Sequence, residues 1–245
     1  MSASALDRIT QRAGIVWTKR VSQTLVQSIA DGTSVEAAMA QALNRLNVNQ
    51  VFRSVTDQTL ELLGKNTGIQ PNSALSRRAV AVGAGFQQRT LSHLAKVSEA
   101  DLRSAVSQYQ RGILTLEQVA EQVPAGRIQN LVNTSLAGVQ RIASREYSRS
   151  ISDSGEVLFL YSGPTDQAAR PYCAALAGKV VSEQMLANTP NGQGLPPLVY
   201  CGGWNCRHSL VPVNERIATV QGLKRATLQD YLAAKQGARA GRRVA

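Results

Sequence analysis

The spacing of apolar residues changes at Val157 in this chain of 245 residues, and that change bounds what it can fold into. Before it, apolar side chains recur every three or four positions. Leu6, Ile9, Ala13, Val16, Val21, Leu25 and Ile29 form one such set, Val35, Met39, Leu43 and Leu46 a second, and Val51, Val55, Leu60 and Leu63 a third. Ile128, Leu131, Val132, Leu136, Val139 and Ile142 form another. That period places each set on one face of an amphipathic helix. After Val157 the runs VLFLYSG, GKVVS and SLVPV are short, apolar and bounded by turn residues, as strands are. The spacing predicts a mainly α chain in three parts. A multi-helix domain covers 1–155, a small α+β domain with short strands covers 156–213, and a basic helix and tail cover 214–245.

Punctuation residues refine the helical part. Gly32 breaks the first helix, and Gly64 with the following NTG closes the third. Thr33 with Glu36, Ser98 with Asp101 and Thr115 with Gln118 have the spacing of capping boxes, and Asn72 and Ser73 can cap a helix that runs to about Val97, weakened by Gly83 and Gly85. The DSG turn at Asp153 stops the last long helix near Ser152. Residues 214–236 read as helical again, whereas the final GARAGRRVA has too little apolar content to fold alone.

The net charge of +11 favours contact with polyanions. It is unevenly spread: residues 1–155 carry 17 basic and 11 acidic side chains, 156–213 carry 3 and 3, and 214–245 carry 7 and 2. The tail cations Lys224, Arg225, Lys235, Arg239, Arg242 and Arg243 face only Asp230 within residues 221–245, which marks them for DNA or an acidic protein. No run of roughly 18 to 20 apolar residues is present, and the N-terminus has no apolar core of a signal peptide, so neither secretion nor a membrane partner is expected.

All three cysteines, Cys173, Cys201 and Cys206, fall in the small second domain, and His208 follows two residues after the last. Three thiolates and an imidazole make a tetrahedral zinc shell, which would brace a small fold as a structural Zn2+ site. The Gly202–Gly203 pair lets the loop between Cys201 and Cys206 curl around an ion. The spacing matches no regular zinc finger, and buried free thiols or a disulfide fit the same residues. Tyr200 and Trp204 flank the loop and are expected to cap the small core. The other histidine, His93, sits on a helix far away in sequence and reads as structural.

Residues 161–213 also resemble the C-terminal segment of phage Mu F-like minor head proteins. Asp166 and Arg170 precede Cys173, the pair Gly178–Lys179 follows, and Pro196–Pro197 leads into Cys206–Arg207 and Pro212. The order and spacing follow the family over about a fifth of the chain, with Leu198 after the prolines and a Cys-Arg-His ending where many relatives have His and Cys-Arg-Cys. The preceding NLVNTSLAGVQRIASREYSRS is similar to the helix that the family places before its first strand. The resemblance implies a virion assembly protein rather than an enzyme. Its site would be the head interior or neck near the portal vertex, reached after assembly in the host cytoplasm. The implied partners are portal and capsid proteins and packaged double-stranded DNA, with no small-molecule substrate. Asp166 and Arg170, four apart, are expected to form an ion pair that braces the loop before Cys173. The alternatives are a zinc-braced nuclease of HNH type, which would need further metal-holding and general-base groups, and a zinc-dependent DNA-binding protein, which would need a more basic zinc domain.

Overall fold

A computed structural model describes residues 6, 8–10, 13, 23–34, 37–38, 41, 48–82, 103–104, 107–115, 118, 129–152 and 155–241. The described part of the N-terminal half is helical, with the long helices α1 (Val48–Thr67) and α2 (Gln129–Ser150) and shorter helical stretches at 23–30 and 73–82. Periodicity at 3.6 residues is what brings Phe52 and Val55 of α1 onto Val132, Leu136 and Val139 of α2. Further along, Leu60 and Leu63 meet Ala143, Tyr147, Leu75 and Ala79.

Helix starts are set by side-chain oxygens that take up otherwise orphaned N–H groups. Asn72 accepts from Leu75 N at 2.8 Å. Thr115 and Gln118 exchange both bonds of a capping box. Ser34 accepts the Ala37 N–H, while Glu36 of the expected Thr33–Glu36 box lies outside the described residues. Gly83, Gly85, the expected run to Val97, His93, the Ser98–Asp101 box, Asp153, Arg242 and Arg243 lie outside the described residues.

The three apolar runs after Val157 pair into one antiparallel sheet of order β2-β1-β3. They are β1 (Leu158–Ser162), β2 (Val180–Ser182) and β3 (Ser209–Val213), registered as Phe159 opposite Val181 and Tyr161 opposite Leu210. Pro212, which has no N–H to donate, sits on the edge strand β3. Pairing was expected to stop at residue 213, but a parallel bridge joins Val180 to Arg225. Val180 N donates to Lys224 O, and Ala226 N to Val180 O, so the segment after residue 213 is stitched to the free edge of β2.

Short helices fill the connections: α3 (Pro171–Leu176), α4 (Glu183–Ala187), α5 (Pro197–Tyr200), α6 (Glu215–Val220) and α7 (Leu228–Gly241). Pro171 and Pro197 open α3 and α5, where a fixed φ helps and no N–H is missed. Helix α7 runs to Gly241, through residues read from the sequence as unable to fold alone. It lies on α3, where Gly237 leaves no room for a Cβ against Pro171 and Tyr172, and it buries Tyr231, Ala234 and Ala238 in the sheet's core. Helix α2 packs on α1 with one face and on β3 and α5 with the other. Its second face is therefore buried although it carries Thr134, Arg141, Ser144 and Ser148.

Candidate metal centre

Strand β1, helix α3, the loop after α5 and strand β3 converge on one point. Pro171 starts the helical turn that aims Cys173 inward, and the alternation of β3 sets the side of the sheet on which His208 enters. Cys173 Sγ lies 3.6 Å from Cys206 Sγ, which in turn lies 3.7 Å from His208 Nδ1. Potential ligand atoms of these three residues all fall within 4.8 Å of one another, and all three residues are buried. A zinc ion bound at about 2.3 Å by sulfur sets neighbouring ligands about 3.7 Å apart, so two edges of a tetrahedron are already present. A disulfide would need sulfurs about 2.05 Å apart, and the cysteines are free.

Cys201 enters the same core but stands outside that three-atom group. It is fully buried. Its backbone sits at φ 49°, ψ −116°, a conformation that L residues rarely adopt and that glycine would hold with less strain. Hydrogen bonds from Cys173 and Cys201, with smaller help from His208 and the Arg141 charge, hold the Cys206 thiol far below the ordinary cysteine range. The same Cys173–Cys206 bond, together with burial, pushes Cys173 up, and burial pushes Cys201 up. The Cys206 sulfur also accepts the Gly202 N–H at 3.3 Å, and Tyr161 OH donates to Cys173 Sγ at 3.4 Å.

Two glycines leave space for this cluster. A Cβ on Gly202 would lie 2.2 Å from Cys173 Sγ, and one on Gly163 would lie 2.5 Å from the His208 ring. His208 Nε2 is buried without a hydrogen-bond partner among the described residues. The other ring nitrogen, Nδ1, is the one turned toward the sulfurs, and an ion bound there would order the ring and the two thiolates. The residues present therefore fit a metal ion: Cys173, Cys206 and His208 are close enough to hold one.

No protein-family model, no curated protein and no solved structure matches this chain. Function must be read from the site itself.

Around the cluster, charged side chains brace loops. Asp166 does not pair with Arg170 as the four-residue spacing suggested. Its carboxylate takes both terminal nitrogens of Arg207, at 2.9 and 2.5 Å, while Arg170 donates to the Trp204 carbonyl at 2.7 Å. Bidentate geometry favours Arg207, and Arg170 is needed at the entrance to α3. Gly178 turns the chain at φ +76°, and Lys179 then reaches Ala175 O and Asp230 Oδ1, tying the turn after α3 to α7. Tyr200 and Trp204 stack at 5.6 Å against Val199, Leu195 and Ile142, which extends the cap expected of them onto α2.

Arg141, from the middle of α2, escaped the sequence reading. Its guanidinium is fully buried and donates to the carbonyls of Val199, Cys206 and His208 at 2.6 to 3.0 Å, clamping both ends of the cysteine loop. A signal existed: within two turns of Arg141 stand Ala137, Gly138, Ser144 and Ser148, small enough for another backbone to approach. The tail cations are dispersed. Arg225 pairs with Glu156 and Glu215, Asp230 pairs with Lys179, Lys235 is half-buried, and Lys224 and Arg239 are exposed.

Proposed function

We propose that this chain is a structural and assembly protein of a bacteriophage virion, a minor head protein of the Mu F-like type, with a zinc ion bracing its small sheet. The observation that carries this reading is how the family-like motif is spent. Asp166 and Arg207 pair with each other, Arg170 holds the Trp204 carbonyl and Lys179 holds Asp230, all around a buried Cys/His cluster. Such residues serve shape, and shape is what a head component offers its neighbours. Zinc would be held by Cys173, Cys206 and His208, with Cys201 of the same buried core as the candidate fourth ligand, and would cross-link the three-stranded sheet. Three thiolates, one imidazole and Zn2+ carry a net charge of −1, which the buried Arg141 balances.

The partners that fit are portal or capsid protein and packaged DNA, met in the head interior or neck. Two measurements test the reading. Phage particles purified from a producing culture are probed for the chain by mass spectrometry: its presence in heads supports the proposal, and recovery only outside particles defeats it. Metal analysis of the purified protein is expected to give one zinc per chain, lost in Cys206→Ser; a metal-free wild-type protein of unchanged stability would remove the zinc.

A further inference from the structure

A cleft of about 300 Å3 opens between α2 and the loop that carries Cys206. Among the described residues its polar and charged lining is Thr10, Asn133, Thr134, Arg141, Asn205 and Arg207. Two guanidinium groups and, among the described residues, no carboxylate line it. Asp166, the partner of Arg207, is not among its walls.

The available hydrogen-bonding groups are mostly donors. Arg207 gives its two terminal nitrogens to Asp166 and keeps its Nε–H edge. Thr134 Oγ1 accepts the Asn205 N–H at 2.8 Å, which leaves the hydroxyl proton to give away. The carboxamides of Asn133 and Asn205 have no partner among the described residues. Asn205 is brought to the rim by a backbone at φ +51°, which Asn tolerates better than most residues, and by its bond to α2. Ala137 and Pro164 supply apolar wall. Arg141 spends its N–H groups on the carbonyls of Val199, Cys206 and His208. A ligand with several acceptor oxygens fits the donors of Asn133, Asn205, Thr134 and Arg207, the carboxamides turning their NH2 groups toward it.

We propose that this cleft binds a phosphate-type oxyanion, held by the Asn133 and Asn205 carboxamides, the Thr134 hydroxyl and the Arg207 Nε–H. The volume is at the lower end of small-ligand sites, where a phosphate and its ester substituents fit. The oxyanion can be free phosphate or one phosphodiester of a nucleic-acid strand, since both present the same acceptors. None of the described C-terminal cations lines the site, and the proposal does not depend on the virion reading.

The test uses the intact, metal-loaded, 15N-labelled chain. Inorganic phosphate and, separately, a single-stranded thymidine tetramer are titrated while the side-chain signals of Asn133, Asn205 and Arg207 are followed. Saturable shifts of these signals are expected. Asn133→Asp, which adds a carboxylate at the same volume, should weaken binding by about tenfold or more, the loss of one charge-assisted bond. Asn205→Asp, on an exposed rim position, serves as the second variant, with metal content and melting temperature showing that both remain folded. Tighter binding of the tetramer than of phosphate, lost in either variant, identifies a strand; equal binding identifies the free oxyanion. Signals that neither titrant moves, or shifts that both variants leave unchanged, overturn the proposal.

Discussion

At Gly202 and Gly163 the absence of a side chain is what the cluster uses. Gly202→Ala would set a methyl 2.2 Å from Cys173 Sγ, so the loop must shift. It is expected to lower both zinc content and stability, the latter by about 1 to 3 kcal/mol, read by metal analysis and urea denaturation. Gly178→Ala is the contrast. A Cβ there meets nothing within 4 Å, and the cost is confined to the positive φ, about 1 to 2 kcal/mol with zinc content unchanged. Arg141→Met keeps the apolar stem but orphans the carbonyls of Val199, Cys206 and His208. A loss of about 3 kcal/mol or more is expected in the same denaturation experiment, and Arg141→Lys should not restore it, because one ammonium cannot serve three diverging acceptors. The Cys/His set was legible as residue types within a short span. The partner of Asp166 was not, because Arg170 is near in sequence while Arg207, 41 residues on, is delivered by the return of β3.

Elements with clear period or punctuation were legible: α1, α2, the three strands, and the caps at Asn72 and Thr115. The end of α7 was not, because its stability comes from Pro171 and Gly192 rather than from its own composition. The Lys179–Asp230 pair joins α7 to the turn after α3 and gives a pH test. The Lys179 ammonium and the Thr227 backbone and hydroxyl donors hold the Asp230 carboxyl down at about 2, below its ordinary 3.8. A depressed carboxyl contributes stability that is complete above its unfolded value and fades as pH falls through the folded one. The wild type should therefore lose stability relative to Asp230→Asn between about pH 4 and pH 2, and their difference should be constant from pH 5 to 7. Thermal melts of the two proteins across that range check it; a difference that instead grows above pH 5 would rule out this pair as its source.

Across the whole molecule, the excess of 27 basic over 16 acidic side chains stands, but its use is narrower than the sequence suggested. Arg225 is occupied by Glu156 and Glu215, and truncation after residue 236 would remove Gly237 and Ala238 from the packing of α7. Neutralising the exposed Lys224 and Arg239 to Gln is the cleaner test of DNA contact. If both touch phosphate, the slope of log affinity against log salt should shrink by about 0.9 for each. Fluorescence anisotropy with duplex DNA across a salt series measures it, and an unchanged slope assigns these two residues to an acidic protein surface or to solvent. The sequence by itself determined the helical period before Val157, the three short strands after it and the confinement of every cysteine to that second part, since these follow from local spacing and residue chemistry. Only the tertiary structure decided that Arg141 from one part clamps the cysteine loop of the other, that Asp166 belongs to Arg207, and that α7 closes the small core. Those pairings join residues tens of positions apart, and which of several equivalent charges or small residues meet depends on how α2 and the sheet pack, a quantity that no local pattern carries.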